Sequence, residues 1–134
     1  MITVENYSED LHYEAVASWY KKRMKFSIHK DIIPSLGIVA KINESMACGT
    51  WASMDNAKSV AFQLFTISNP YIFSPKEIEQ SLQMANDALH HILRTLGYTV
   101  VFPLSSSHSL NRFYSNEGCE LIERNISIYR KELF

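Results

Sequence analysis

The segment from Ser74 to Gly97 constrains the fold more than any other stretch. Ser74-Pro75-Lys76-Glu77 is a capping box with proline at the first helical position, so a helix must begin there. Ile78, Leu82, Ala85, Leu89, Ile92 and Leu96 follow in steps of four and three and make one continuous apolar seam. Gly97 stands where a left-handed cap ends a helix. A seam of that length has to be buried against another layer, and the flanking sequence supplies one. Val60–Ser68 before the helix and Tyr98–Leu104 after it read as strands, and Asn69-Pro70 ends the first because proline cannot donate to a ladder. Strand, helix and strand in that order predict a parallel pair with a right-handed crossover.

Upstream, Ile38–Ile42, a turn at Asn43–Ser45, and Met46–Met54 read as a hairpin. A second turn at Asp55–Asn56 joins it to Val60–Ser68 and completes a β-meander. Alternation along Val60–Ser68 assigns Ala61, Phe65 and Ile67 to one face, and Phe62 and Leu64 to the other. Ile2–Glu5 reads as an opening strand. Ser8 is the expected N-cap of a first helix whose apolar stripe is Leu11, Ala15 and Trp19, with Val16 beside it. Lys21, Lys22 and Arg23 suit its last turn through the helix dipole. Residues Met24–Gly37 read as an irregular loop. A short helix from Ser109 to Asn116, a Gly118 cap, and strands Cys119–Arg124 and Ile126–Lys131 close the chain. The expected order is β-α-β-β-β-α-β-α-β-β, an α+β fold with a mixed sheet in one domain spanning 1–134.

Composition narrows the function classes. With 134 residues, 46% hydrophobic and 20% charged, the chain has the make-up of one soluble globular domain. Thirteen Lys+Arg against fourteen Asp+Glu give no electrostatic footprint of a nucleic-acid binder. No run approaches ~18 apolar residues, and the acidic N-terminus lacks the apolar core of a secretory signal. Cys48 and Cys119 have no C-x-x-C spacing and are expected as free thiols. His90 and His91 are adjacent, so on a helix they diverge by about 100° and cannot form the i, i+4 pair of a zinc site; both are expected on the surface. His12 and His29 are isolated. His108 lies in a serine-rich run without a nucleophile elbow, which reads as the N-cap of the last helix. The expectation is a cytoplasmic monomer or homodimer with no metal, no nucleic-acid partner and no membrane contact.

The segment from Ser109 to Glu120 reads SLNRFYSNEGCE: an apolar residue at Leu110, the pair Phe113-Tyr114, and Gly118 four residues after the tyrosine. With Ile67-Ser68-Asn69-Pro70, the long seam and Gly97-Tyr98, it resembles the GNAT superfamily of acyl-CoA N-acyltransferases over nearly the whole chain. The general look is similar to small acetyltransferase-like proteins of bacteriophages. The resemblance implies that the fourth and fifth strands splay and hold the pantetheine arm of acetyl-CoA between them. It also implies backbone N–H donors near Ile67 and Asn69, and a pyrophosphate site at the helix N-terminus around Ser74, Lys76 and Ile78, where unpaired amides and the dipole attract anions. Ser107 stands where the family usually has an asparagine, seven residues before the tyrosine. Tyr114 would be the acid that protonates the departing thiolate.

The chain also departs from the family pattern. Where the family's pyrophosphate loop reads Gln/Arg-x-x-Gly-x-Gly/Ala, this chain has Tyr71-Ile72-Phe73-Ser74-Pro75-Lys76-Glu77-Ile78, with no glycine. Pro75 removes an N–H, Glu77 brings a negative charge, and Lys76 is the one compensating cation in that loop. The strand Val60–Ser68 carries no carboxylate, so the general base is not identified; Gln63 and Thr66 cannot take a proton there. Cys119 replaces the aromatic that usually follows the glycine. Trp19, Tyr20, Met24, Phe26 and Trp51 are candidate walls of an acceptor pocket, against core packing for Trp19 and Trp51. Two functions follow. One is an N-acetyltransferase moving an acetyl group from acetyl-CoA to an amine of a small molecule or protein. The other is a catalytically inactive domain of the same fold that binds a protein partner.

Overall fold

A computed structural model describes residues 1–56, 59–105, 107–122 and 131. Five strands form one sheet in the order β1-β2-β3-β4-β5: β1 (Ile2–Asn6), β2 (Gly37–Ile42), β3 (Ser45–Met54), β4 (Val60–Ser68) and β5 (Val100–Pro103). The first three pairings are antiparallel and β4–β5 is parallel, the arrangement that the crossover helix requires. The β2–β3 hairpin turns on Asn43 and Glu44, both at positive φ (49° and 75°), as a two-residue hairpin loop needs. Helix α2 (Pro75–Thr95) and the short α3 (His108–Asn116) cover one face of the sheet, and α1 (Glu9–Met24) covers the other.

The seam of α2 packs as read from Ile78 to Leu89, but in the last turns Leu93 takes the buried position, Ile92 is partly buried and Leu96 is exposed. Leu82, Ala85, Leu89 and Leu93 are buried against Ile38, Ala40, Cys48, Ala52 and Ala61 of the sheet, with Phe113 and Tyr114 of α3 completing that core. Both halves of the capping box form: Ser74 Oγ accepts from Glu77 N–H (3.2 Å), and Glu77 Oε1 accepts from Ser74 N–H (2.9 Å). Cys48 and Cys119 are free, and burial pushes the Cys48 thiol up to about 12.

Three further readings need correction. The buried face of α1 is His12, Val16, Trp19 and Tyr20, whereas Leu11 is 76% exposed. His12 replaces Leu11 because its ring finishes the helix start. The Ser8 side chain makes no capping bond; instead His12 Nδ1 accepts the Ser8 N–H (2.8 Å), and Nε2–H then donates to Glu5 Oε2 (2.7 Å). In β4, Phe65 does not share a face with Ala61. Trp51 pairs with Leu64 but Gly49 pairs with Ile67, so a bulge at Phe65–Thr66 lies opposite Thr50. The bulge inverts the alternation and sends Phe65 and Ile67 into the α1-side core. Residues 119–122 form no strand, since Cys119 N–H turns back to cap α3 on Tyr114 O (3.0 Å). The rest of that expected strand, and residues 126–130 of the last one, lie outside the described residues.

The Glu5–His12 pair carries a pH prediction. The hydrogen bond from His12, assisted by Lys41 Nζ at 3.1 Å, holds the Glu5 carboxyl below its ordinary value. A depressed folded pKa stabilises the fold above the ordinary carboxylate range, and that contribution fades as pH falls through the folded value. Glu5 is half exposed, so Glu5→Gln is expected to cost only about 0.5–1 kcal/mol at pH 7. The difference from the parent, followed by urea titration, should vanish near pH 3; an unchanged difference there would remove Glu5 from the account.

Candidate active site

The parallel pairing of β4 and β5 stops early. It covers Val60–Gln63 against Val100–Pro103, and the last bond is Leu104 N–H to Gln63 O (3.0 Å). Beyond Gln63, β4 runs on to Ser68 beside β3 alone, while the chain after Pro103 turns away into α3. Among the described residues the outer edge of β4 therefore has no partner strand over its last half. Asn69 N–H donates to Ala47 O (2.8 Å). By the alternation of an antiparallel ladder, Ile67 faces β3 in the same way, whereas Ser68, opposite Cys48, turns its N–H and C=O outward into the gap. Arg23 of α1 takes that carbonyl through Nε (2.8 Å) and donates to Ser68 Oγ through Nη2 (2.9 Å).

A cavity of about 390 Å³ opens beside this edge, within the range of small-molecule pockets. Its floor is apolar, with Phe73, Ile78, Leu82 and Phe113, and its polar rim includes Ser68, Asn69 and Glu79. Among the described residues two cations line it, Arg23 at the end of α1 and Arg112 on α3.

The expected site residues fall into separate places. Asn69 and Ile78 line the cavity, but the Asn69 amide is engaged in the turn: Nδ2 donates to Met46 O (3.0 Å) and Oδ1 accepts from Tyr71 N–H (2.9 Å). The Ile67 side chain is buried on the α1 side. Ser74 and Ile78 N–H serve the start of α2, since Ile78 N–H donates to Ser74 O (3.0 Å) and Ser74 Oγ takes Glu77 N–H. Among the described residues this leaves Lys76 with the one first-turn N–H that lacks a partner. Ser107 caps α3 by accepting from Leu110 N–H (3.3 Å). Of the proposed pocket walls, Trp19, Tyr20 and Trp51 are core, and Met24 and Phe26 are exposed.

Tyr114 is 5% exposed and sits inside the α2-side core beside Phe113. Its Oη lies 2.9 Å from Thr66 Oγ1, a contact the bulge makes possible by turning Thr66 to this face. Burial pushes the phenol up to about 12, and the Thr66 hydroxyl pulls in the opposite direction. The polar chain continues inward. Thr66 Oγ1 meets Thr50 Oγ1 (2.7 Å), and Gln63 Nε2 donates to Thr50 Oγ1 (2.9 Å) and Asn86 Oδ1 (3.0 Å). His90 Nε2 lies 2.9 Å from Gln63 Oε1; His90 is thus half-buried rather than on the surface, and burial lowers its pKa. Sequence reasoning missed Ser68, Arg23 and Arg112 as site residues and gave Thr66 and Gln63 no role. Among the described residues no group of three His, Cys, Asp or Glu side chains is placed to hold a metal ion, and no helix is long and apolar enough to cross a membrane.

No family model matches the chain, and no curated protein matches it in sequence. Solved structures do match in shape. AAC(6′)-Iy in complex with the bisubstrate analogue CoA-S-monomethyl-acetylneamine is 14% identical, with a TM-score of 0.70 and 99% of each chain covered. A GNAT-family acetyltransferase of Streptococcus pneumoniae is 16% identical, with a TM-score of 0.62, covering 98% of this chain and 100% of its own. Glucosamine-6-phosphate N-acetyltransferase of Arabidopsis thaliana is 9% identical, with a TM-score of 0.66, covering 98% of this chain and 99% of its own. At these identities the likeness is one of fold, and the fold is that of the GNAT acetyltransferases.

Proposed function

We propose that this chain, built on the GNAT acetyltransferase fold, is a single-domain N-acetyltransferase that moves an acetyl group from acetyl-CoA to an amine of a small molecule or protein. One observation carries the reading: where β4 parts from β5, the outward Ser68 N–H faces a gap beside the cavity. A thioester carbonyl laid along that edge accepts from this N–H as its oxygen gains charge, a preorganised amide aimed at the developing oxyanion. The neutral amine bonds to the carbonyl carbon and the C–S bond breaks. The thiolate takes the phenol proton of Tyr114, the nitrogen gives its surplus proton to water, and water reprotonates the phenolate. β4 carries no carboxylate, so in this reading water takes the proton, with Glu79 the carboxylate that lines the cavity.

The phosphates of CoA require cations, and the closed capping box leaves α2 few amides to offer. Arg23 and Arg112, lining the cavity from two other helices, supply that charge in this reading. Free thiols at Cys48 and Cys119 fit a cytoplasmic enzyme. The second reading, a protein-binding module, is favoured by the same glycine-free, capped loop. A thermal shift separates the two. Acetyl-CoA at 100 times its dissociation constant adds about 2.7 kcal/mol of stability to a folded state that binds it. Arg112→Ala should shrink that shift, most visibly at low salt. An unmoved melting temperature at millimolar acetyl-CoA overturns the enzyme reading and leaves the module.

A further inference from the structure

Each outward residue on a free strand edge ordinarily offers one N–H and one C=O, and that pair is what lets another strand add. The edge of β4 at Ser68 is different. Its carbonyl, turned outward at the pair with Cys48, is taken by Arg23 Nε at 2.8 Å. Nη2 of the same guanidinium donates to Ser68 Oγ at 2.9 Å. The direction of both bonds is fixed, since a guanidinium carries hydrogens and no acceptor. Ser68 Oγ therefore accepts in this contact and still has its own hydrogen to give. Among the described residues no group takes that hydrogen. Ser68 is partly buried and lines the cavity of about 390 Å³, so the hydrogen has that space to point into.

We propose that the Ser68 hydroxyl is a catalytic donor to the thioester oxygen, beside the Ser68 N–H, and that Arg23 is the positioning residue that makes it one. The proposal rests on the acetyltransferase reading and deepens it at the reacting end. With its carbonyl capped, the edge at Ser68 offers the gap donors alone: the backbone N–H, the Oγ–H, and a cation behind both. That set suits an oxygen gaining negative charge, whereas a strand laid there would find no acceptor for its own N–H. Both donors belong to one residue, so the guanidinium that fixes the Ser68 side chain fixes the pair, and neither reorganises as charge develops. The bond accepted from a cation also polarises the hydroxyl and strengthens the bond it donates. In the step itself the amine nitrogen bonds to the carbonyl carbon and the C=O π pair moves to oxygen, between the two Ser68 donors. Return of that pair breaks the C–S bond, and the thiolate takes the Tyr114 proton; Ser68 gives up none. Positive charge at this edge also favours the neutral, attacking form of the amine over its ammonium.

The pull on the thioester oxygen can be read without an acceptor amine. In infrared difference spectra of bound acetyl-CoA, isotope-labelled at the thioester carbonyl, it appears as a shift of the C=O stretch to lower frequency. The parent protein is expected to show such a shift from free acetyl-CoA. Ser68→Ala should show about half of it, one of two donors having gone, and Ser68→Thr, which keeps the hydroxyl, should restore it. Arg23→Lys keeps the charge but cannot span both Ser68 oxygens, so its shift should fall below the parent's. A merely structural role for Arg23 would leave the stretch unmoved. Ser68→Ala should also keep the thermal shift with acetyl-CoA and, with an amine that is accepted, lower kcat by about 10²-fold without raising KM for acetyl-CoA. Should Ser68→Ala fail to fold, Arg23→Lys carries the test. Bound acetyl-CoA whose stretch matches the free ligand's, or an undiminished shift in folded Ser68→Ala or Arg23→Lys, overturns the proposal and leaves the acetyltransferase reading standing. Acetyl-CoA that does not bind at all overturns that reading, and the proposal falls with it.

Discussion

Replacing Tyr114 with phenylalanine is expected to lower kcat for acetyl transfer by about 10²-fold or more, while the thermal shift with acetyl-CoA persists. The side chain differs by one oxygen, and that oxygen meets Thr66 Oγ1 at 2.9 Å inside the α2-side core. Losing the contact costs about 1 kcal/mol of stability, which leaves a folded protein to assay. With the phenol pushed up to about 12, Tyr114 stays protonated throughout the neutral and mildly alkaline range. Acetyl transfer by the parent protein should therefore show no alkaline loss of rate attributable to this residue below about pH 10, where an ordinary tyrosine begins to ionise. The same shift has a cost for catalysis: a phenol held above its ordinary range gives up its proton less readily, so full transfer to sulfur is uphill. The proton then moves only as the C–S bond breaks, and the phenolate is short-lived. Full kcat in a folded Tyr114→Phe would mean that the thiolate leaves unprotonated or takes its proton from water.

The second large effect concerns stability. Trp51, fully buried on the α1 side, lies over two missing side chains. A Cβ at Gly37 would stand 2.2 Å from indole Cδ1, and one at Gly49 would stand 2.6 Å from Cη2. Tyr7 packs edge-on to the indole with ring centroids 5.2 Å apart, so the ring has little room to retreat on that side. Gly37→Ala and Gly49→Ala are each expected to destabilise by about 1–3 kcal/mol through overpacking, read as a fall in melting temperature of about 4 °C per kcal/mol for a chain of this size. Added to Gly49→Ala, Trp51→Phe should return part of the loss, since a smaller ring relieves the clash; a strictly additive double mutant would contradict the packing argument.

How much of this was legible depended on whether the determinant was local. Helix α2 was, because its cap and stop are local and its seam holds as far as Leu89; only in the last turns does Leu93, not Leu96, face the sheet. The end of α3 was legible too, with Gly118 at φ 86° where a left-handed cap was expected. The stripe of α1 was misread by one position because Leu11 outranks His12 on hydrophobicity alone. The imidazole gains its burial from Ser8 and Glu5, partners that only the fold brings together. The candidate site was legible only in part. Tyr114 was reached through the family resemblance of the segment that ends at Gly118, but Arg23, Arg112 and Ser68 are single polar side chains from three elements, with no common spacing to betray them. Ile67 and Asn69 were expected to present N–H groups to the gap, yet the hydrogen-bonding phase of the ladder gives that position to Ser68.

Phe65 holds a φ of 58°, a conformation that aromatic side chains rarely adopt, and this backbone strain sits one residue from the Tyr114 contact. β4 is thus a strand with a change of parity built in: odd positions face α2 before the bulge and α1 after it. Deleting Leu64 or Phe65 would restore even alternation and leave a regular ladder, with Thr66 still opposite Thr50 and Ser68 still opposite Cys48. Deleting Thr66 or Ile67 would also even the ladder, but it would take the hydroxyl away from Tyr114. Shortenings of this strand that keep the site therefore belong before Thr66 rather than at or after it.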